Sequence, residues 1–227
     1  MSSPDSGLVD AAASLYAGTY ERQFARGKLR FDPVFSALLS DGRLPARGSL
    51  LDLGCGQGVL LALLTAARTR SGAAGLPPQL ALHGIEIDAS RAAAAQQALR
   101  GLARVTAGDI RDAAFPSSSV IMLLDVLLYL SDGDQRKVLE KAYAALEPGG
   151  TLIVREADAA VGLAFRVTRW AERVLELKRG HWRDRLHYRS REQWTGMLTG
   201  LGLAVVAEPM SAGTPFANVL YVCKKRG

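Results

Sequence analysis

The sequence predicts an α/β protein built on a mostly parallel, Rossmann-like sheet with helices on both faces. From about residue 49 onward, short apolar runs alternate with segments of helical periodicity. Near-continuous apolar runs are typical of parallel strands, because both faces of such strands are buried, and parallel neighbours need a helical crossover. A length of 227 residues with 48% apolar residues allows a single domain with a substantial core.

The elements follow from these patterns in chain order. The predicted strands are the apolar runs SLLDLG, LALHGIEID, ARVTAGD, VIMLLDV and TLIVREAD. Helical patterns fall between them, at 58–70, 89–100 and 133–147. Beyond a Pro-Gly-Gly turn the rhythm changes, and we expect helices at 160–180 and 190–201. Two last strands, LAVVAEP and ANVLYVCKK, are compatible with a hairpin.

These elements suggest one domain, 1–227, with four parts. A helical N-terminal cover at 1–47 precedes a core at 48–157, which is followed by a helical insert at 158–200 and a C-terminal strand pair at 201–227.

Charge and composition narrow the classes of protein. The net charge is +6, and the span from Arg166 to Arg191 alone holds nine basic and three acidic residues, which accounts for all of it. The N-terminus lacks a secretory pattern, and the strongest apolar run, at 120–130, is too short to cross a bilayer. Cys55 and Cys223 form neither a disulfide framework nor a metal-ligand pattern. We therefore expect a cytoplasmic protein without a membrane span or a metal.

The stretch LLDLGCGQGVL places three glycines at alternate positions directly after a predicted buried strand. Such a cluster is costly unless the backbone needs positive φ or must lie against another group. A strand, a glycine turn and a helix together present free backbone N–H groups at the carboxyl edge of the sheet, where α/β proteins bind ligands. A dinucleotide site expects G-x-G-x-x-G, but here the third glycine comes one residue early and Val59 stands in the final glycine's place.

The segment LDLGCGQG resembles motif I of the class I S-adenosylmethionine-dependent methyltransferases. The segments LHGIEID, AGDI, IMLLDVLLYL and ALEPGGTLIV resemble the second to fifth motifs in order, so the likeness covers about residues 48–157. It implies a seven-stranded sheet whose last strand is antiparallel. It also implies S-adenosylmethionine as the methyl donor and S-adenosylhomocysteine as the product.

The resemblance assigns roles to individual residues. Asp52 would orient the methionine end of the donor, Glu86 would accept hydrogen bonds from the ribose hydroxyls, and Asp109 would meet the adenine amino group. The glycines would let the backbone approach the donor. The implied cofactor-binding set is Asp52, Gly54, Cys55, Gly56, Gly58, Glu86, Ile87, Asp109, Ile110 and Asp125.

Several of these assignments have structural alternatives. Asp52 and Asp109 stand at strand ends and would also serve as turn caps. Asp88 competes with Glu86 as the ribose acid. Asp125 lies within apolar sequence and would also suit the role of acceptor for neighbouring backbone N–H groups, while Cys55 reads as a small filler rather than a nucleophile.

Acceptor-binding residues should come from outside the shared core. Within the cover, the stretch 15–35 offers Tyr16, Tyr20, Lys28 and Arg30, and the substrate set is completed by Tyr129 and Tyr188. The basic insert has two readings: a solvated face over a packed helix, or a lid that attracts an acidic acceptor, an acidic carrier or an anionic membrane surface.

Methyl transfer needs a base only when the acceptor must lose a proton. The candidates are His181, His187 and Glu156, although a lone histidine is also common as a structural residue.

The function that the sequence predicts is methyl transfer to a small or carrier-bound organic acceptor, with oxygen favoured over carbon or nitrogen. Nucleic acid is a less favoured partner, since the fourth motif reads LDVLLY where enzymes that methylate base amino groups have an Asn or Asp followed by Pro-Pro and an aromatic residue. An RNA methyltransferase and a catalytically silent donor-binding protein remain alternatives. The sequence does not predict an oligomeric state.

Overall fold

The computed structural model describes residues 4–39, 43–45, 47–69, 79–160, 186–211 and 217–227. The helices in these ranges are α1 (Ser6–Ser14), α2 (Thr19–Phe31), α3 (Pro33–Leu38), α4 (Val59–Thr69), α5 (Ala89–Ala98), α6 (Asp132–Ala145) and α7 (Arg191–Gly200), with a short 3₁₀ turn at Leu127–Tyr129. The strands are β1 (Arg47–Leu53), β2 (Gln79–Glu86), β3 (Arg104–Ala107), β4 (Ser118–Leu124), β5 (Leu146–Ala157), β6 (Leu203–Pro209) and β7 (Asn218–Lys225).

The strands form one seven-stranded sheet in the order β3-β2-β1-β4-β5-β7-β6. The first five strands of the chain pair in parallel, whereas β7 pairs antiparallel with both β5 and β6. The predicted Rossmann-like sheet, its antiparallel last strand and the C-terminal hairpin are therefore confirmed. Because β1 and β4 are neighbours although β2 and β3 intervene in the chain, the strand order reverses beside β1, and a ligand crevice is expected there.

Alternate side chains of the central strands enter two separate cores. Leu50, Met122 and Ile153 pack with α1 to α5 on one face. Leu51 and Ile121 pack with α6 and α7 on the other face. The period of two along each strand produces this division. The N-terminal helices lie over one face only.

The boundary between α2 and α3 is the single residue Asp32. It ends α2 in an extended conformation and caps α3, since its carboxylate accepts from Val34 N at 3.1 Å. Pro33 at the first position of α3 fits this start, because its missing N–H would have no helical partner there.

The predicted helices at 58–70, 89–100, 133–147 and 190–201 all occur, with ends shifted by at most a few residues. One boundary differs in kind. The predicted Pro-Gly-Gly turn does not precede the fifth strand but interrupts it, since Ser118 pairs with Leu146 before the turn and Val120 pairs with Thr151 after it. Gly149 adopts φ +72° within this irregularity.

The helix predicted at 160–180 lies, except for residue 160, outside the described residues. His181 also lies outside them. In the ranges that the structure describes, no helix is both long enough and apolar enough to cross a membrane.

Candidate active site

The glycine loop between β1 and α4 is shaped by positive φ angles at Gly54, Gly56 and Gly58. A Cβ on Gly54 would stand 2.6 Å from the Val126 side chain, so this glycine allows the loop to pack against the turn after β4. A Cβ on Gly56 would meet nothing within 4 Å. The Gly56 position therefore opens onto free space at the carboxyl edge of the sheet.

Glu86 joins the loop to the end of β2. The residue is 5% exposed, and its Oε2 accepts from Gly56 N at 2.9 Å while Oε1 accepts from Asp88 N at 3.1 Å. Each carboxylate oxygen has a second lone pair, so the pair of oxygens is placed to accept from two vicinal hydroxyls beside the opening at Gly56.

Asp88 has a different role. It caps α5, and its Oδ1 accepts from the backbone N–H groups of Ser90 and Arg91 and from the Ser90 hydroxyl. The carboxylate that competes with Glu86 in the sequence is thus engaged at a helix start. This arrangement favours Glu86 as the ribose acid.

Asp52, the second-last residue of β1, is buried on the same edge. Burial raises the pKa of its carboxyl to about 7, with Lys28 of α2 lowering the pKa and the charge of Glu86 raising it further. A cation that enters the site would favour the ionised form of this carboxyl and lower its pKa again.

The resemblance implies that Asp109 meets the adenine amino group and that Ile110 packs against the adenine ring. Arg111 donates to both Asp109 oxygens, and its hydrogen bond, together with its charge, lowers the Asp109 pKa. Ile110 is only 6% exposed and belongs to the core, whereas Ile87 is 65% exposed directly after Glu86. Ile87 is therefore the apolar side chain available to a flat ring.

The turn after β4 is organised by Arg155 of β5, a residue that the sequence analysis did not select. Its guanidinium binds Asp125 and Asp32, with Nε 2.9 Å from Asp125 Oδ1 and one terminal nitrogen 2.9 Å from Asp32 Oδ2. Burial raises the Asp32 pKa, but Arg155, Lys28 and the hydrogen bond from Val34 N together lower it further, so the net shift is downward. Both residues could have been selected from the sequence. Arg155 is a charge within a buried strand, and Asp32 is an acid directly before a proline.

Glu156, a predicted base, is 1% exposed and its Oε1 accepts from Leu127 N at 2.8 Å. Its carboxylate thus supports the same turn from the other face of β5. His187 lies beside this turn as well: its backbone N donates to Leu128 O at 2.8 Å, and its Nδ1 is 3.5 Å from Asp132 Oδ1. The segment that carries His187 and Tyr188 therefore returns to the end of β4.

The predicted cover residues separate into two groups. Tyr16 is 2% exposed, and its hydroxyl donates to Gln57 O at 2.9 Å, so it supports the glycine loop from below instead of standing free to close over a ligand. Tyr20, Lys28 and Arg30 are exposed on α2, and Tyr129 is 42% exposed at the turn after β4. Cys55 is half-buried in the loop, and burial raises its thiol pKa, which suits a filler and not a nucleophile.

Together the fold and this edge define a class of protein: a Rossmann-like, S-adenosylmethionine-dependent methyltransferase with the seven-strand order 3-2-1-4-5-7-6. Residues 18–208 match the family model described as "Methyltransferase domain". The chain belongs to that family.

Curated relatives match only parts of the chain. A carboxy-S-adenosyl-L-methionine synthase of Chromohalobacter salexigens is 31% identical over 125 residues, which is 52% of this chain and 43% of that protein. A synthase with the same name from Klebsiella pneumoniae is 40% identical over 62 residues, which is 26% of this chain and 25% of that protein. The chain spans less than half the length of these relatives.

Solved structures match nearly the whole chain in fold. An O-methyltransferase family protein of Burkholderia thailandensis superposes with a TM-score of 0.66 at 19% identity, over 96% of this chain and 64% of that one. An O-methyltransferase from neocarzinostatin biosynthesis, in complex with S-adenosyl-L-homocysteine and 1,4-dihydroxy-2-naphthoic acid, gives 0.63 at 23% identity, over 92% and 57%. At these identities the likeness establishes the fold.

Proposed function

We propose that the protein transfers the methyl group of S-adenosylmethionine to a small or carrier-bound organic acceptor, with a hydroxyl oxygen as the favoured site. The observation that carries the donor assignment is the opening at Gly56, with the Glu86 carboxylate hydrogen-bonded to Gly56 N at 2.9 Å. A sulfonium donor supplies an activated methyl group and a neutral leaving group. What remains for the protein is binding, orientation and exclusion of water.

We assign three residues to parts of the donor. Glu86 would take the ribose hydroxyls, exposed Ile87 would cover the adenine, and buried Asp52 would bind the α-ammonium group of the methionine part. The acids at this edge support this assignment. Glu86 and Asp52 are both buried there, and two carboxyl groups suit a donor that carries positive charge.

The proposed acceptor is a hydroxylated aromatic or carrier-bound molecule that lies between the cover and the turn after β4. The chain shares its fold with O-methyltransferases, one of which holds a dihydroxynaphthoic acid. Exposed Tyr20 and Tyr129 offer aromatic contact surface to an acceptor. If the acceptor hydroxyl must lose a proton, His187 is the described histidine nearest the end of β4, and Asp132 is placed to orient its ring.

The relatives named carboxy-S-adenosyl-L-methionine synthases raise the question of a carboxylated donor. Such a donor adds an anion next to the sulfonium, and a buried anion needs a cation. Arg155 already binds two carboxylates, and Lys28 acts on the buried Asp52, whose pKa it lowers. We propose S-adenosylmethionine itself as the donor. We also propose that the protein acts in the cytoplasm.

The decisive experiment offers methyl-labelled S-adenosylmethionine with three pools in parallel: hydroxylated small molecules, carrier-bound acyl groups and RNA. We expect label in one of the first two pools, and label in RNA would overturn the acceptor class. Binding of donor without transfer to any pool would favour a silent donor-binding protein.

Two variants locate the chemistry within that assay. His187→Gln should keep the affinity for S-adenosylhomocysteine and lose transfer, whereas Gly56→Val should lose both. Unchanged transfer by His187→Gln would remove His187 as the base. Mass spectrometry of any ligand that copurifies distinguishes S-adenosylmethionine from its carboxylated form.

A further inference from the structure

Arg155 is a buried cation at the carboxyl end of β5 that connects two distant parts of the chain. Its side chain is 3% exposed, and it forms two hydrogen bonds with Asp125 and two with Asp32. A planar guanidinium can bind two carboxylates in this paired manner, whereas a lysine ammonium acts as a point charge. The contact with Asp32 spans 123 positions of sequence.

Asp125, one of the two acids, has an unusual backbone. Its φ of 58° makes it the one non-glycine residue with positive φ in the described part of the chain. Such a conformation persists where the surroundings hold it, and it is common at functional sites. Arg155 holds Asp125 twice, since its carbonyl accepts from Asp125 N at 3.0 Å and its guanidinium binds the carboxylate.

The turn that starts at Asp125 also touches the glycine loop. The Val126 side chain lies 2.6 Å from the position that a Cβ on Gly54 would occupy. Loop, turn and Arg155 thus form a continuous series of contacts. A change of position at the loop would reach Arg155 without passing through solvent.

Asp32, the other acid, is the joint of the N-terminal cover. Its carboxylate both caps α3 and binds Arg155. A second ion pair on α2, Arg26 with Asp10 of α1, is exposed, with side-chain exposures of 31% and 49%. The Arg26–Asp10 pair joins one cover helix to another, whereas Arg155 joins the cover to the sheet.

We propose that Arg155 is a positioning residue of the transfer site: it fixes Asp125 beside the glycine loop and, through Asp32, holds the α2–α3 joint against the sheet, so that donor binding orders the cover. The proposal rests on the proposed donor site. Arg155 itself touches no reacting atom. It acts through Asp125 on the donor side and through Asp32 on the acceptor side.

Hydrogen–deuterium exchange with and without S-adenosylhomocysteine tests this coupling. In the unmodified protein we expect the product to slow exchange at 54–58 and, by about tenfold, at 19–38. Asp32→Asn keeps the cap on α3, because Asn caps helices as well as Asp, but removes the charge that Arg155 binds. This variant should retain the slowing at 54–58 and lose it at 19–38.

Asp10→Asn is the matched control, since it removes the exposed ion pair of the same cover and should behave as the unmodified protein. Arg155→Met should abolish the slowing of exchange at 19–38, and Arg155→Lys should keep at most part of it. Equal protection of 19–38 in Asp32→Asn and Asp10→Asn would overturn the proposal, even if Asp32→Asn melts at a lower temperature. Absence of any slowing at 54–58 in the unmodified protein would instead overturn the donor site.

Discussion

The glycine loop and the turn that begins at Asp125 lie side by side at the carboxyl edge of the sheet, yet different forces hold them. The loop is held through its backbone, with Gly54 N and Cys55 N donating to Ile85 O at 2.8 and 3.1 Å and Gly56 N donating to the Glu86 carboxylate at 2.9 Å. The turn is held by buried charge, from Arg155 on one face of β5 and Glu156 on the other. The glycine loop is shaped by the absence of side chains at its glycines. The turn is shaped by ionic contacts between residues that are distant in sequence.

The comparison teaches where each region is vulnerable. A loop of glycines tolerates loss of a neighbour but not an added side chain. A buried ion group tolerates neutral replacement of all its members better than removal of one, because a single unpaired charge stays desolvated. Both expectations can be tested with single substitutions.

The largest effect is expected for Arg155→Met, which removes the guanidinium that both Asp32 and Asp125 bind. Breaking a buried ion group in this way should lower the free energy of unfolding by about 3–5 kcal/mol. Urea denaturation measures the change. Removing all three charges, with Asp32→Asn and Asp125→Asn added, should regain most of the loss.

Arg26→Met is the matched control for this prediction, because Arg26 belongs to an exposed ion pair of the cover. Its cost should be at most about 1 kcal/mol. If Arg155→Met costs no more than Arg26→Met, the turn does not depend on buried charge.

The next effect is expected for Gly56→Val at the loop. The new side chain would fill the space where the donor is proposed to lie, so the affinity for S-adenosylhomocysteine should fall by about 100-fold or more, which is about 2.7 kcal/mol. Calorimetry measures the affinity, and the melting temperature monitors folding.

Gly101→Val controls for backbone strain, because Gly101 has φ +75° and equally open surroundings but lies in the loop after α5. It should lose similar stability and keep donor affinity. Equal losses of affinity in both variants would mean that strain, and not occupied space, explains the effect at Gly56.

A pH dependence should follow from Asp52, whose pKa burial raises to about 7. If the carboxylate binds the ammonium group of the donor, binding requires proton loss below that pH, and affinity should weaken by about tenfold per unit as the pH falls below 7. Calorimetry in buffers of different ionisation enthalpy would measure the released proton, and Asp52→Asn should abolish the release.

The unliganded protein should show the opposite trend. Because the folded state keeps the Asp52 proton to a higher pH than the unfolded chain, this residue contributes stability at low pH that is lost as the pH rises from about 4 to about 7. A stability profile without this slope, compared with that of Asp52→Asn, would contradict the assigned pKa.

The smallest effect is expected for Tyr16→Phe, which removes the hydrogen bond from the tyrosine hydroxyl to Gln57 O. Loss of one such bond should cost about 0.5–1.5 kcal/mol and weaken donor affinity by a few-fold at most. Tyr20→Phe, on an exposed side chain of α2, should change neither quantity. A loss of affinity in Tyr20→Phe alone would place the cover differently from our proposal.

The parts of this molecule that could be predicted from sequence are those set by local pattern. Apolar runs bounded by glycine gave the strands, and the spacing of Gly54, Gly56 and Gly58 gave the loop with its positive φ angles. Local pattern also left Glu86 and Asp88 unresolved as the ribose acid, and the structure adds that Asp88 caps α5.

What could not be predicted depends on contacts between remote residues. Nothing near Asp125 indicates its partner on β5, and nothing near Arg155 indicates Asp32. Exposure is also decided by packing: Ile87 and Ile110 look alike in sequence, but only the first reaches solvent. The sequence predicted that the fifth strand begins after the Pro-Gly-Gly turn, because the local pattern does not show that Leu146, before the turn, already pairs with Ser118.

The carboxylate of Asp158 accepts from the backbone N–H groups of both Ala160 and Arg191, at 2.9 and 3.1 Å, and Ala159 N donates to Arg189 O. The chain therefore leaves the sheet after Asp158 and returns beside it at Arg189, and hydrogen bonds join these two points. None of these hydrogen bonds uses a residue of 161–185. The junction at the edge of the sheet therefore depends on the Asp158 side chain and on backbone groups alone.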